Sequence, residues 1–511
     1  MLAILTEQRP DTNPQKHVGR SVRTLTIKFI SLLVLLGAAT FSMVVEAATE
    51  AGSPSQAQEK VIQEYFQAFN TGSIKAMVDF AHKRVAKAAR PPDPLIEESY
   101  NKQFVTWGHL TPDVERGLAR PVKSTALGEW LLMTFHFSPE EPEKLVGIGT
   151  DPVPDPGEAP PKTEAEALVH IQSMLENFSA RDFFSGVVLV ARADKTLLWK
   201  AFGQANREKD IPNRPDTQFN LASMNKMFTA VAIAQLEEQG ALSYSDTIRM
   251  RLPGYSNPAG DRITIHQLLT HTSGLEDIGG PRFLQARDRL TSPQGFVDVY
   301  GPDPLLFEPG ARWQYTNLGY IVLGRIIEVV SGQSYDDYLK DHVFQKSEMH
   351  DTGYFPLEEE AANRARGYTD IAPDKNGWPG LRTPAKHFDS ARYFFLKGTP
   401  AGYGFSTASD LLRFARSLSA GKLLGSGQTD AITRGKVPMF GPGEKYGYGF
   451  MEGHIHGARW FGHGGGGPGV NTFFAIIPDS EYTIIVLANT DPPAAEWAEQ
   501  RIISYLTSVE H

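Results

Sequence analysis

Ser223-Met224-Asn225-Lys226 sets a hydroxyl three residues ahead of an amine, at the start of an apolar run through Met227, Phe228, Val231, Ala232, Ala234 and Leu236. In a helix that spacing puts both side chains on one face, and the first turn adds free backbone N–H groups and the positive end of the helix dipole. Desolvation and neighbouring cations lower the pKa of such a lysine, which can then take the serine proton and make the hydroxyl a nucleophile. The same pattern recurs at Ser99-Tyr100-Asn101-Lys102 and Ser419-Ala420-Gly421-Lys422, but Ser99 lies in an acidic polar stretch and Ser419 at a glycine-broken helix end. Taken alone, these four residues read first as a helix N-cap beside a solvated lysine.

Two later motifs change that weighting. Tyr315-Thr316-Asn317 follows Phe307-Glu308-Pro309-Gly310 and precedes an apolar helix from Tyr320 to Val330. Tyr-x-Asn presents a phenol and an amide on one side of an extended turn, one to relay protons and one to hold a substrate amide. Tyr255-Ser256-Asn257 has the same pattern but lies in a Pro/Gly loop, where a surface turn is the ordinary reading. Gly462-His463-Gly464-Gly465-Gly466-Gly467 runs just ahead of a Val470–Ile477 strand. Its glycines clear a strand edge for a substrate backbone and for amide N–H groups facing an oxyanion.

With Phe219-Asn220-Leu221-Ala222-Ser223, the run from Ile263 to Leu275 containing Leu268-Leu269-Thr270-His271-Thr272-Ser273-Gly274-Leu275, and Gly402-Tyr403-Gly404-Phe405-Ser406-Thr407, these motifs resemble the serine beta-lactamase, penicillin-binding-protein and DD-peptidase superfamily in its class C-like branch. The resemblance covers residues 163–508, about two thirds of the chain. It implies an α/β (α+β) fold, an antiparallel sheet flanked by helices with a helical insertion. It also implies Ser223 as nucleophile, Lys226 as its activating partner, Tyr315 as proton relay and Asn317 as substrate ligand. His463-Gly464-Gly465 then stands for the third motif and Gly466 for one oxyanion donor, beside the N–H of Ser223. Class C beta-lactamases carry Lys-Thr-Gly where this chain has His463-Gly464-Gly465. An ordinary histidine is mostly neutral at pH 7, so the fixed cation opposite a substrate carboxylate is lost or made pH-dependent, which argues against efficient beta-lactam hydrolysis. The His-x-Gly form is similar to the DD-carboxypeptidase, D-aminopeptidase and esterase branches. The reading favoured is an exported hydrolase of esters or D-amino-acid amides and peptides. A beta-lactamase and a non-turnover ligand-binding or sensor protein are the alternatives.

Other chemistries fit less well. The glycine run also looks like the oxyanion motif of α/β-hydrolase lipases, but none of the later serines, Ser480, Ser504 and Ser508, is framed as Gly-x-Ser-x-Gly. His266 and His271 lie five apart without His-Glu-x-x-His and read as residues fixing a turn, so no metal and no cofactor are expected. Absence of cysteine excludes disulfides, thiol nucleophiles, cysteine zinc sites and a lipid-modified N-terminal cysteine. A formal charge of −9 with scattered basic residues gives no reason to expect a nucleic-acid partner. The expected partner is a small-molecule or peptide substrate, and the oligomeric state is left open.

The elements that must position these residues follow from periodicity. Hydrophobic content of 41 % in 511 residues implies a folded chain of more than one unit. Arg9, Lys16, Arg20, Arg23 and Lys28 precede an apolar run from Phe29 to Val45, which ends in small residues at Ala47-Ala48. This reads as a signal peptide over 1–47, with an uncleaved anchor as the alternative, and either places the rest in the periplasm or outside the cell. After cleavage no membrane span is expected. Residues 59–150 read as a small α+β domain: helices around Val61–Phe69 and over 73–88, then strands at Trp130–Phe137 and Leu145–Gly149. It resembles the cone of the nuclear-transport-factor-2-like group. Five prolines within 151–162 mark a linker. The domain 163–508 opens with a helix and strands at Gly186–Ala191 and Thr196–Phe202. It closes with strands at Thr472–Ile477 and Tyr482–Ala488 and a helix over Ala494–Leu506, so its two ends are expected to build one antiparallel sheet. Aromatic residues crowd 376–405, including Trp378, Phe388, Tyr393 and Tyr403, as an acyl-pocket wall or the core of the helical insert.

Overall fold

A computed structural model describes residues 54–509, apart from 113–117, 357–360, 374–378, 384–386, 391–396 and 440–442. The export segment 1–47 lies outside the described residues, as do Trp378 and Tyr393 of the aromatic stretch.

Three helices come first: α1 (Gln56–Phe69), α2 (Ile74–Arg84) and α3 (Asp93–Trp107). Ser55 and Gln58 form a capping box on α1, which buries Val61, Ile62, Tyr65, Phe66 and Phe69 along one stripe. A four-stranded antiparallel sheet follows, in the order β1 (Leu110–Pro112), β2 (Ala119–Ser124), β3 (Trp130–Phe137), β4 (Leu145–Val153). Strand β4 pairs with β3 as far as Val153↔Trp130, so the proline-rich segment leaves the sheet only at residue 154, three residues later than its composition suggests.

Beyond it, α4 (Glu164–Ala180) leads into β5 (Gly186–Arg192) and β6 (Lys195–Phe202). The middle of the chain supplies α5 (Lys226–Glu238), α6 (Ile265–Leu269), α7 (Asn317–Ser331) and α8 (Ala408–Ser419). The chain then returns to the sheet as β7 (Val437–Pro438), β8 (Lys445–Tyr446), β9 (Met451–Ile455), β10 (Ala458–Gly467), β11 (Val470–Ile477) and β12 (Tyr482–Ala488), and ends in α9 (Ala494–Thr507). The eight strands run β7-β8-β9-β10-β11-β12-β5-β6, antiparallel throughout, with β12 of the C-terminal end against β5 of the N-terminal end (Val486↔Val188). This is the expected mixed fold, a sheet assembled from both ends with helices between.

Strand β5 shows why it lies centrally. Val187 and Leu189 belong to the core shared with α8 on one face, while Val188 and Val190 belong to the core shared with α4 and α9 on the other. A strand buried on both sides needs an unbroken apolar run, and Val187-Val188-Leu189-Val190 is one. The second of these cores continues into the first unit, where Tyr65, Phe69, Trp107, Leu131 and Phe135 join it. Trp107 stacks on Trp497 of α9 at 6.5 Å between ring centroids, and Arg501 donates to the carbonyl of Val153 at 2.7 Å.

Candidate active site

Ser223 stands in a tight 3-10 turn (Ala222–Asn225) that feeds directly into α5. The residue before it, Ala222, is held at φ +44°, a conformation that costs a non-glycine residue on the order of 1–2 kcal/mol. Its neighbours hold it there. Leu221 N–H donates to Gly404 O at 2.8 Å, and the Ala222 carbonyl accepts from Tyr403 N–H at 3.1 Å. Asn225 links this turn to Gly404 N–H and the Tyr354 hydroxyl. The 402–407 segment singled out in the sequence is therefore the brace of the serine turn. Among the described residues only glycine fits at 402, because a Cβ there would stand 2.8 Å from the Ala222 oxygen.

One turn on, Lys226 is wholly buried. Its Nζ donates to Ser223 Oγ at 3.1 Å, to Asn317 Oδ1 at 2.8 Å and to Ala401 O at 2.6 Å. Burial pushes this ammonium down to about 7, with the charge of Asp277 acting in the opposite direction. A lysine in that range is half deprotonated near neutrality, within hydrogen-bond reach of the serine oxygen.

The Tyr-x-Asn segment arrives at the N-terminus of α7. The Tyr315 ring lies 4.7 Å from Lys226 Nζ. Burial holds its phenol well above the ordinary range, with Ser223 as a hydrogen-bonding neighbour acting against that. His271 clamps the segment on both sides: its carbonyl accepts from Gln314 N–H at 2.9 Å, its Nδ1 accepts from Thr316 N–H at 3.2 Å, and its ring lies 4.2 Å from that of Tyr315. His271, expected to fix its own turn at Thr270–Gly274, instead holds the segment carrying Tyr315. His266 is occupied elsewhere, with Nδ1 against the Tyr448 hydroxyl at 2.7 Å. Asp277 accepts from both the backbone and the side-chain N–H groups of Asn317. Sequence reasoning missed Asp277 because a lone carboxylate in a loop carries no spacing signal.

The third motif lies along β10. Gly465 passes so close to the serine turn that a Cβ would stand 2.2 Å from Leu221 O and 3.1 Å from Ala222 Cβ. Gly466, opposite Asn471 in the ladder, is the next residue on that edge. The Thr472 hydroxyl fastens β11 to Leu221 O at 3.0 Å, so sheet and turn are tied directly. His463 is enclosed. It is 1 % exposed, its Nε2 faces the Tyr446 hydroxyl at 2.9 Å, and its Nδ1 faces Gly464 O. Burial, together with the positive charge of Lys226, pushes the imidazole down to about 3. Of the two outcomes expected there, a lost cation or a pH-dependent one, enclosure by the sheet favours the first.

The rival motifs stand apart. Ser99 lies on α3 and accepts from Gln103 Nε2, and Ser419 and Lys422 are exposed at the far end of α8. Tyr255 is buried, not a surface residue, and Asn257 caps a 3-10 turn and donates to the carbonyls of Gly301 and Asp303. Among the described residues, no cluster of histidines and carboxylates could hold a metal ion, and no helix is long and apolar enough to cross a membrane.

Comparison with known proteins finds relatives in sequence and in fold. A penicillin-binding protein of Bacillus subtilis is 32 % identical over 346 residues, 63 % of this chain and 72 % of that protein. The crystal structure of a penicillin-binding protein from Bacillus halodurans superposes with a TM-score of 0.57 at 29 % identity, covering 66 % of this chain and 99 % of the other. A D-stereospecific amidohydrolase from Streptomyces gives 0.54 at 25 % identity, covering 66 % and 97 %. The Beta-lactamase family model matches residues 171–505, the stretch that holds the serine turn, the Tyr-x-Asn segment and the glycine strand together, and the chain belongs to that family of serine hydrolases.

Proposed function

We propose that this chain is an exported hydrolase that forms an acyl-enzyme on Ser223, with neutral esters or D-amino-acid amides and peptides as substrates. The observation carrying the proposal is Lys226 Nζ 3.1 Å from Ser223 Oγ, in surroundings that favour the neutral amine. Neutral Lys226 takes the Ser223 proton as Oγ attacks the substrate carbonyl. Backbone N–H groups of Ser223 and Gly466 receive the oxyanion, and Tyr315, which stays a neutral phenol, passes the proton to the leaving group. Water repeats the sequence on the acyl-enzyme. Asn317 directs its carbonyl to Lys226 and its NH2 to Asp277, which makes it a positioning group as much as a substrate ligand. The basic and apolar segments within residues 1–45 support export.

Neutral substrates are favoured over free carboxylates because His463 supplies no cation. Serine beta-lactam hydrolysis is correspondingly disfavoured. The test is a panel on purified protein: a p-nitrophenyl ester, a D-phenylalanine anilide, a D-alanyl-D-alanine peptide and a chromogenic cephalosporin. Turnover of the first two and a far lower kcat/KM for the carboxylate-bearing pair is expected, with the ratio between an anionic and a neutral substrate flat from pH 5.5 to 8.5. Stoichiometric labelling without turnover on every member would favour a sensor instead.

A further inference from the structure

Asp277 belongs to none of the motifs, yet it closes a chain of contacts that ends at the nucleophile. Its Oδ1 accepts from the N–H groups of Ile278 at 2.9 Å and Asn317 at 2.6 Å, and its Oδ2 accepts from Asn317 Nδ2 at 3.0 Å. A carboxylate only accepts, so the amide of Asn317 has one permitted orientation: NH2 toward Asp277 and oxygen toward Lys226, 2.8 Å from Nζ. Lys226 in turn reaches Ser223. We propose, on the basis of the serine-hydrolase reading above, that Asp277 is a positioning residue that locks the orientation of Asn317 and supplies the counter-charge deciding when Lys226 holds its proton.

The groups around Lys226 leave that task to Asp277. His271, from the same loop, and His463, from β10, are kept neutral by burial, the latter down to about 3. Tyr315 and Tyr320 face Nζ from the segment leading into α7 and from α7 itself, with rings at 4.7 and 5.5 Å. Tyr403 and Tyr446 come from the brace and from β8, and burial holds all four phenols above their ordinary range. None of these is charged near neutrality. Burial also raises Asp277 above the ordinary carboxylate range, but the N–H groups of Asn317 and Ile278 and the charge of Lys226 oppose that rise, and the Asp277 charge in turn opposes the burial that drives the Lys226 proton off.

The reaction of a neutral p-nitrophenyl phosphonate with the full chain, followed by intact mass, reads the neutral fraction of Lys226 as an acid limb in the inactivation rate. Asp277→Asn keeps an acceptor for the two backbone N–H groups but turns an NH2 toward Asn317, which must rotate and present its own NH2 to Lys226. The limb should then move to lower pH by about 1 unit or more. The exchange Asp277→Asn with Asn317→Asp restores complementarity and sets the carboxylate directly on Nζ, so its limb should lie above that of the unaltered chain. The order of the limbs is a readout that a purely structural role would not move. Limbs at one pH in all three proteins, differing only in height, would overturn the proposal. If Asp277→Asn fails to fold, the exchanged pair carries the test, and a limb at or below the unaltered one overturns it. Failure of the underlying reading looks different: the unaltered chain would take no label, or Ser223→Ala would keep it.

Discussion

At the residue scale, the proposed mechanism needs a lysine that its surroundings make a base. Lys226 is depressed from its ordinary value to about 7, so its neutral fraction grows as pH rises toward that value. Activity on a neutral ester should accordingly climb from pH 5.5, level off above about 7, and show no limb at the ordinary lysine pKa. Lys226→Ala and Tyr315→Phe should each lower kcat by about 10²–10⁴-fold, the usual worth of positioned proton transfer, and the double variant should lose much less than the product of the two. Steady-state kinetics over the pH range, with circular dichroism to confirm folding, checks both. A Tyr315→Phe protein with near-native kcat would remove the phenol from the relay. His463 illustrates the limit of reading side chains by type: the sequence gives a titratable imidazole, and enclosure between β10 and Tyr446 makes it neutral.

At the scale of elements, periodicity located most of the frame because those segments bury one regular stripe or one continuous run. The strands Trp130–Phe137 and Tyr482–Ala488 match their expected bounds, and α1 keeps its stripe. Helix α3 was not legible, although Ile96, Tyr100, Phe104 and Trp107 share one helical face, because Pro92 and Pro94 flank its start and polar residues fill most of the rest of the segment. Nor was the two-residue pairing of Phe219–Asn220 with Phe405–Ser406, which braces the serine turn across nearly two hundred residues and leaves no local signal. The glycines of β10 were legible as a cleared edge, and the structure gives the reason at Gly465. Gly465→Ala would push a methyl into the Leu221 carbonyl, forcing the strand off the serine turn. A stability loss of about 1–3 kcal/mol in urea titration is expected, with a proportionally larger fall in kcat because the turn carrying Ser223 moves with it. Unchanged kcat would mean that the strand does not hold the turn.

For the whole molecule, the sequence marks two units and the structure joins them through one apolar layer between the first sheet, α4 and α9. The proline-rich segment separates them along the chain, but the helices that cover the large sheet are shared, which periodicity cannot reveal. Buried carboxyls lie in this layer. Glu499 is 1 % exposed, and burial with the neighbouring carboxyls of Glu444 and Glu496 pushes it well above its ordinary value, while burial takes Glu496 to about 7. The sign follows from proton counting. The folded chain keeps protons that the unfolded chain releases above about 4.5, so these groups weaken the fold as pH rises. Glu499→Gln should therefore have little effect on Tm near pH 4.5 and become increasingly stabilising toward pH 8. A constant difference in Tm across that range would mean that Glu499 ionises normally in the folded protein.

The claim on which the rest depends is that Ser223, braced by Gly402–Phe405 and hydrogen-bonded to Lys226, is the nucleophile. Its most direct measurement is intact-mass analysis after a p-nitrophenyl phosphonate, with the label mapped by peptide digestion in the unaltered chain and in Ser223→Ala. A single phosphonyl adduct on the peptide containing Ser223, and none in the variant, is expected. A label on Ser99 or Ser419, or one that survives in Ser223→Ala, would contradict that claim.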